Sequence, residues 1–308
     1  MIIENQLQVT DAVIDELRRA RSPRLKEIMT SLITHLHAFA REVKLTEQEL
    51  NAGINIVARL GQLTTASHNE VRLMAGSLGL SMLVCLLNNG DGSDTGEITT
   101  SANLLGPFWR DGSPVTPNGG SIVRSDTPGV PLFVKGYVRD TEGNPVADAE
   151  VDVWQASPVG LYESQDPEQA EMNLRGKLRT DKDGVFAFRS VKPAGYPIPT
   201  GGPVGDLLTA LDRHPFRPAH VHTLIHKPGF KTIASQLYSH DDPRLDSDAQ
   251  FGVTRALVVT YIEHDHEPAP DPDVKGRWCS LEHTFVLEPG EAWLPTPPVS
   301  KKAIGNRQ

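Results

Sequence analysis

Cysteine is nearly absent from this chain of 308 residues, which contains Cys85, Cys279 and no third cysteine. Two thiols cannot build a disulfide framework or a thiolate-rich zinc site. The sequence also lacks a run of 18 uncharged apolar residues, so we expect no membrane-spanning helix. Its N-terminus shows no basic segment followed by an apolar one, as a signal peptide would, and we therefore expect a cytoplasmic protein.

Basic residues are outnumbered, with 30 Lys and Arg against 39 Asp and Glu and a formal net charge of −9. Without a basic tail or stripe, such a chain is a poor partner for nucleic acid. The hydrophobic fraction of 38% and the charged fraction of 22% are typical of a folded globular protein. The composition thus leaves two broad classes, an enzyme or a binding module.

The first ninety residues have helical periodicity. Ser22-Pro23 is typical of a helix start, with serine as the cap and proline in the first turn. Thr46 to Glu49 has the pattern of a capping box. The stretch from Val71 to Leu87 is apolar on almost every side, which predicts one buried helix. We expect a helical domain over residues 1–100.

From residue 130 onward the pattern is that of short strands separated by turns, after a linker rich in Gly, Ser, Thr, Asn and Pro over residues 90–130. The clearest predicted strands are Leu132–Val138, Val185–Phe188, Ala256–Ile262 and His283–Leu287. Strands without intervening helices favour an antiparallel β-sandwich, here over residues 101–308. The predicted fold class is α+β, with the helical domain preceding the sandwich.

His220 and His222 are the strongest candidates for a metal site. The surrounding run predicts a strand, on which residues i and i+2 share a face about 6–7 Å apart. The alternative is that both histidines merely satisfy hydrogen bonds near a sheet edge. Further ligands would have to be carboxylate, histidine or tyrosine, because cysteine is so scarce. Tyr162 and Tyr196 lie in glycine-marked loops, although a single tyrosine more often serves packing.

An ordered set of motifs resembles the intradiol ring-cleaving dioxygenases, which are non-haem ferric enzymes that split an aromatic 1,2-diol between its hydroxyl-bearing carbons. The motifs are Gly160-Leu161-Tyr162, Asn173-Leu174-Arg175, Gly195-Tyr196-Pro197 and Arg217-Pro218-Ala219-His220-Val221-His222. The resemblance implies a β-sandwich catalytic domain and one Fe³⁺ per subunit, bound by Tyr162, Tyr196, His220 and His222. It also implies that Tyr196 leaves the metal and takes up a proton when substrate binds, that Arg217 stabilises negative charge on the ring, and that Gln236 supports Arg217.

The same resemblance implies a substrate pocket for the aromatic diol, which reacts with O₂. Its residues would be Leu73, Gly76, Leu105, Gly106, Pro107, Phe108, Ile198, Pro199 and Phe251. The Leu104–Phe108 segment and Ile198 are most like the hydroxyquinol (benzene-1,2,4-triol) branch, with catechol or chlorocatechol as alternatives. Hydroxyquinol and chlorocatechol members often carry an acidic residue at position 76, so Gly76 predicts a roomier pocket without a carboxylate. Family members also form homodimers through the N-terminal helices, which can enclose phospholipid.

Two other functions fit part of the sequence. Val134 to Val151 also resembles prealbumin-like β-sandwich binding modules, which have neither an iron site nor a helical prefix. A second possibility is an Fe(II) oxygenase that uses His220, His222 and a carboxylate as a facial triad. Colour separates these alternatives, because phenolate bound to Fe³⁺ is red to brown whereas an Fe(II) triad or an empty module is nearly colourless.

Overall fold

The structure, a computed structural model, describes residues 2–89, 100 and 102–299. Its backbone contacts divide the chain into two units, residues 1–58 and residues 59–308. The predicted linker over residues 90–130 lies partly outside the described residues. From residue 102 to residue 130 the chain is irregular and is tied to the strands by isolated bridges such as Val115 to Lys177 and Ser121 to Arg189.

Three helices begin in the first unit: α1 (Gln6–Glu16), α2 (Pro23–Glu42) and α3 (Glu47–Leu63), of which α3 crosses the division. Both predicted helix starts are confirmed. The Ser22 hydroxyl accepts from the Leu25 amide at 3.2 Å. The Thr46 hydroxyl accepts from the Glu49 amide at 3.2 Å, and the Glu49 carboxylate accepts from the Thr46 amide at 2.8 Å. These bonds satisfy amides that have no partner inside the helix.

The prediction of one buried helix over Val71–Leu87 is wrong. The segment forms α4 (Glu70–Ser77) and α5 (Leu80–Asn89), whose axes differ by 75°. The break lies at Gly79, whose φ of 74° is left-handed and ends α4. Leu78, Leu83 and Leu87 are more than half exposed. Apolar residues on every side of the segment therefore do not mean that every side is buried.

By length and composition, no single helix in the described residues could cross a membrane, and only the bent pair of α4 and α5 taken together reaches that measure.

The second unit contains two packed sheets, which confirms the predicted sandwich. Its elements are β1 (Pro131–Asp140), β2 (Glu150–Gln155), β3 (Arg175–Arg179), β4 (Val185–Val191), β5 (Tyr196–Pro197), α6 (Pro203–Ala210), β6 (Phe216–Arg217), β7 (His220–His226), β8 (Ile233–Ser239), β9 (Val258–Val259), β10 (Ile262–His264) and β11 (Trp278–Leu287). One sheet has the strand order β10-β11-β1-β4, and the other has the order β3-β2-β7-β8-β9. The short strands β5 and β6, which pair with each other, and helix α6 lie outside the two sheets.

Two details differ from the predicted sandwich. Most neighbouring strands are antiparallel, but β1 with β11 and β8 with β9 are parallel pairs. The predicted strand Ala256–Ile262 is broken, because β9 pairs with β8 in one sheet and β10 pairs with β11 in the other. Leu257 and Tyr261 are both buried in the core between the sheets, so the chain crosses that core where the sequence pattern suggests one continuous strand.

Alternation along β7 positions the functional site. Val221 and Ile225 face the core between the two sheets. His220, His222 and Leu224 point to the opposite face, because successive side chains on a strand alternate. Leu224 belongs to a second buried cluster that includes residues of α4, α6 and the loops. Both histidines therefore lie beneath the layer of helices and loops that covers the outer face of this sheet.

Candidate metal centre

The two histidines of β7 turn their Nε2 atoms toward each other, 3.1 Å apart. The Nδ1 atom of His220 lies 2.7 Å from the carbonyl oxygen of Pro218. A carbonyl oxygen only accepts, so Nδ1 carries the hydrogen and Nε2 presents its lone pair to the cluster. A hydrogen bond of this kind fixes the tautomer and the orientation of metal-binding histidines.

His222 is held by the neighbouring strand. Trp154 on β2 lies opposite His222 in the strand register, and the two rings stack at 4.7 Å with an angle of 8° between their planes. The Nε2 atom of His222 lies 3.1 Å from the Tyr162 hydroxyl, so it contacts both His220 and a tyrosine. Its Nδ1 atom is buried and has no hydrogen-bond partner within the described chain.

The two tyrosines come from separate parts of the chain, Tyr162 from a loop and Tyr196 from β5, and meet at the histidines. The Tyr162 hydroxyl donates to the Tyr196 hydroxyl at 3.2 Å. Tyr196 forms the start of β5 and pairs through its backbone with Arg217 on β6, whereas the Tyr162 amide donates to the Gln165 side chain. Each of the two tyrosines and the two histidines is at most 2% exposed. The structure thus brings together all four residues that the resemblance marks as ligands.

Burial governs the ionisation of these four groups. It lowers the pKa of His220 to about 3, with a further contribution from the positive charge of Arg217. Burial also lowers the pKa of His222 well below its usual range, and it raises the pKa of Tyr162 well above and that of Tyr196 above the ordinary value. Without a cation, the imidazoles and phenols of the cluster are therefore neutral, which leaves an imidazole lone pair available to a metal.

The donor set fits a hard trivalent cation. Neighbouring donor atoms are 3.1–3.2 Å apart, and ligands bound about 2.0–2.2 Å from one shared ion are separated by similar distances. Two phenolates would supply negative charge that two neutral imidazoles cannot. Within the described ranges, no group of three or more His, Cys, Asp or Glu side chains has metal-binding geometry. In those ranges, therefore, no carboxylate joins His220 and His222 in such a group.

Arg217 lies beside this cluster in a network of buried polar groups. Its guanidinium donates to the Asp248 carboxylate through Nε and Nη2, both at 3.0 Å, and its Nη1 lies 3.4 Å from His220 Nε2. Nη2 also donates at 2.9 Å to Gln236 and to the Tyr238 hydroxyl. Burial opposes the charge on Arg217, but the adjacent Asp248 carboxylate outweighs it and raises the Arg217 pKa well above its usual value.

Arg217 and Gln236, which the resemblance names, are hydrogen-bonded in this network, whereas Asp248 and Tyr238 were not predicted to be part of it. Asp248 stands in an acidic run, Asp246 to Asp248, that gives no sign of a buried ion pair. Tyr238 on β8 pairs with His220 on β7. A prediction of that strand pairing could have placed Tyr238 next to the site.

A second buried network supports Tyr162 and was also missed. Glu163, next to Tyr162, accepts from Arg175 at 2.7 Å and also from Arg110. The Arg175 guanidinium lies 6.0 Å from the centre of the Tyr162 ring. The Asn173-Leu174-Arg175 motif was recognised in the sequence without a role for its arginine.

Several predicted pocket residues surround the tyrosines. Leu73, Phe108 and Ile198 are buried in one cluster with Tyr162 and Tyr196, and Leu105 packs against that cluster. The Phe108 ring stacks on Tyr162 with centroids 4.4 Å apart. Beside them is an open cavity of about 660 Å³ that is lined in part by Leu105, Gly106 and Pro107. Gly106 lies so close to His222 that a Cβ there would be 3.1 Å from the imidazole Cε1, so this glycine borders both the cavity and the donor cluster.

Phe251 and the space at Gly76 differ from the predicted pocket, and Pro199 is neither confirmed nor contradicted as a pocket residue. Phe251 is half exposed, lies 4.6 Å from the Arg213 guanidinium and lines a separate cavity with Asp212 and His214. Gly76 does not leave open space, because the Gln250 side chain fills the position that a side chain at residue 76 would take. Pro199 follows Ile198 and is half buried.

The chain is similar in sequence to known dioxygenases. A family described as "Dioxygenase" matches residues 104–289, and one described as "Catechol dioxygenase N terminus" matches residues 22–96. The chain is 40% identical to a catechol 1,2-dioxygenase from Candida albicans over 87% of each chain. It is 39% identical to a hydroxyquinol 1,2-dioxygenase from a Rhizobium species, over 90% of this chain and 93% of the relative.

Solved structures are similar over the same range. A hydroxyquinol 1,2-dioxygenase from Pseudomonas putida superposes with a TM-score of 0.82 at 39% identity, covering 92% of this chain and 99% of the other. The family matches include both the helical segment and the sandwich. The chain belongs to the intradiol ring-cleavage dioxygenase family.

Proposed function

We propose that this enzyme binds one Fe³⁺ per subunit through Tyr162, Tyr196, His220 and His222 and cleaves an aromatic 1,2-diol with O₂. The observation that carries the proposal is the convergence of two phenol oxygens and two imidazole nitrogens, buried and 3.1–3.2 Å apart. When bound, the iron would draw electron density from a diol held through both hydroxyl oxygens and so open the ring to attack by O₂.

The protein's own residues prepare the diol for that chemistry. Burial raises the pKa of Tyr196, which makes its phenolate a good acceptor for a proton released by a diol hydroxyl. Arg217 is held as a fixed cation beside His220, where it stabilises negative charge that develops on the ring. The apolar side chains of Phe108, Ile198 and Leu73 would exclude water from the flat ring and orient it.

We infer that hydroxyquinol is the preferred diol and that catechol is turned over more slowly. Support comes from the hydroxyquinol enzymes among the relatives and from Ile198, which replaces the cysteine usual in catechol enzymes. Differences of one methyl-sized group in an apolar pocket amount to about 1–3 kcal/mol, so moderate promiscuity toward 4-methylcatechol and 4-chlorocatechol is expected.

We further propose that the enzyme is a homodimer joined by its N-terminal helices, which would form a helical region over residues 1–100 and could enclose phospholipid. In the first unit, α2 has one exposed apolar stripe at three- and four-residue spacing: Leu25, Ile28, Leu32, Leu36 and Phe39, each 46–54% exposed. An apolar stripe of this length is typical of a surface that another helix covers.

The proposed chemistry is tested by loading the metal-free protein with ferric or zinc salts. Iron per chain, the visible spectrum and O₂ uptake with each diol are measured. We expect one iron per chain, a red to brown colour from phenolate-to-Fe³⁺ charge transfer, and one O₂ consumed per diol cleaved. The zinc protein is the control and should be colourless. A colourless ferric protein would contradict the ligand assignment, and a higher kcat/KM for catechol than for hydroxyquinol would overturn only the substrate assignment.

A further inference from the structure

Gly76 on α4 and Gln250 occupy the same space. A Cβ built on Gly76 would lie 1.8 Å from Gln250 Oε1 and 2.7 Å from its Cδ, distances that real atoms do not reach. The Gln250 side chain can therefore hold this position only while residue 76 is glycine. Both residues are buried, and Gln250 lines the 660 Å³ cavity together with Leu105, Gly106 and Pro107.

Hydrogen bonds to α4 determine which atom of the Gln250 side-chain amide is free to bond a ligand. Its Nε2 donates to the Ser77 hydroxyl at 2.7 Å and to the Leu73 carbonyl oxygen at 3.4 Å. Because a carbonyl oxygen only accepts, the NH₂ group must face α4 and both of its hydrogens are engaged there. Among the described residues nothing donates to Oε1, so the free capacity of this amide is that of an acceptor.

The turn that carries Gln250 is hydrogen-bonded to the same carboxylate as Arg217. Asp248 Oδ1 accepts from the Gln250 amide at 3.1 Å, and Oδ2 accepts from the Gly252 amide at 2.9 Å, while the same carboxylate binds Arg217. Phe251 has a left-handed φ of 54°, and its ring lies over Arg213. The turn therefore presents residue 250, rather than residue 251, to the cavity that Gly106 also lines.

We propose, on the basis of the function proposed above, that Gln250 is the residue that selects the ring substituent. Its Oε1 accepts a hydrogen bond from a hydroxyl carried by the ring in addition to the two of the diol. A chlorine or a methyl group cannot donate to this oxygen, and an unsubstituted ring leaves it unpaired. A site built to bond a substrate hydroxyl discriminates against analogues that lack it. Gly76 supplies the room, and Gln250 supplies the polar group.

Replacing the amide tests the selection. Gln250→Met keeps a straight side chain of similar length but has no acceptor oxygen. We expect the ratio of kcat/KM for hydroxyquinol to that for catechol to fall about three- to tenfold, the value of one neutral hydrogen bond. Gln62→Met, at an exposed position on α3, is the control and should leave the ratio unchanged. A wild-type ratio in Gln250→Met overturns the proposal, whereas a wild-type enzyme that cleaves neither diol contradicts the proposed function instead.

A pair of variants tests the shared space without depending on the Met variant or on activity. Gly76→Ala should lower the melting temperature in the wild-type background, because the new Cβ meets the Gln250 amide, and should lower it much less in the Gln250→Ala background. Equal losses in the two backgrounds overturn the proposed packing. Gly76→Asp/Gln250→Ala moves the acceptor from residue 250 to residue 76, and it should regain part of the preference for hydroxyquinol that Gln250→Ala loses. If the ratio of kcat/KM does not recover in this double variant, an acceptor between residues 76 and 250 does not select the substrate, and the proposal is overturned.

Discussion

Arg217 and Asp248 form a buried ion pair in which the guanidinium Nε and Nη2 each donate to one carboxylate oxygen at 3.0 Å. Both side chains are about 2% exposed. The arginine sits between this carboxylate and the Nε2 atom of His220, so its position at the donor cluster depends on Asp248. Since the two residues are 31 positions apart in the sequence, the tertiary fold alone creates the pair.

Arg217→Lys should lower kcat more than it raises KM. Lysine retains the charge but cannot bond Asp248, Gln236 and Tyr238 at once, because it lacks the planar fork. Loss of one well-aimed charge-stabilising donor typically lowers kcat by about 10²–10³. Steady-state kinetics with hydroxyquinol measures the effect, and Arg179→Lys, at an exposed surface pair with Asp148, is the matched control. A variant with normal kcat would show that Arg217 has no electrostatic role in the reaction.

Asp248→Asn should destabilise the fold and reduce turnover together. Removal of one partner from a buried ion pair costs about 3–5 kcal/mol, because the other charge stays buried without compensation. Asp148→Asn removes the partner of a solvent-exposed arginine and should cost about 1 kcal/mol or less. Urea unfolding measures both variants. If both variants lose the same free energy of unfolding, the buried Arg217–Asp248 pair stabilises the fold no more than the exposed pair does.

Tyr162→Phe and Tyr196→Phe should each shift or weaken the visible absorption band of the ferric protein. Each substitution removes one phenolate from the donor set, while the two histidines and the second tyrosine remain. Tyr196→Phe should also collapse turnover with much of the iron retained, because it removes the proposed proton acceptor. Tyr137→Phe, on β1 outside the cluster, is the control. An unchanged spectrum and unchanged activity in both variants would falsify the assignment of these two ligands.

Leu32→Asp should weaken the proposed dimer, because it places a charge in the middle of the apolar stripe of α2. Light scattering at micromolar concentration measures the mass, with a dimer expected for the wild type and a lower mass for the variant. Leu211→Asp alters a similarly exposed leucine in the second unit and should leave the mass unchanged. A monomeric wild type at this concentration contradicts the proposal.

Stability should depend on pH through Asp152. Burial raises the pKa of this carboxyl from 3.8 to about 6, although Trp109 donates to it at 3.1 Å. Because the folded state holds the proton more tightly than the unfolded state, stability falls as the pH rises from about 4 to 6, and the full loss persists above pH 6. A shift of this size corresponds to about 3 kcal/mol.

Asp152→Asn removes this loss and retains an oxygen acceptor for Trp109. We expect the variant to be more stable than the wild type at pH 7.5 and nearly equal to it at pH 4, as measured by urea unfolding at both values. If the variant is equally stable or less stable at pH 7.5, neighbouring groups stabilise the ionised Asp152 carboxylate enough to offset the cost of its burial.

Much of the fold could be predicted from local pattern. The caps at Ser22 and Thr46 depend on contacts within one helical turn, so the sequence predicts them directly. Alternation along β7 placed His220 and His222 on one face for the same local reason. Patterns failed where a backbone break was decisive: Gly79 divides a continuous apolar run into two helices, and the segment between Val259 and Ile262 changes sheets.

The candidate site divides in the same way. By itself the sequence determined the residue types, the spacing of His220 and His222, and an order of motifs that identified the family. Only the tertiary structure brought the Tyr162 and Tyr196 hydroxyls to the histidines, paired Arg217 with Asp248 and placed Gln250 in the space above Gly76. The physical reason is that these contacts join residues from 24 to 174 positions apart, and their distances depend on how strands, helices and turns pack rather than on any local period.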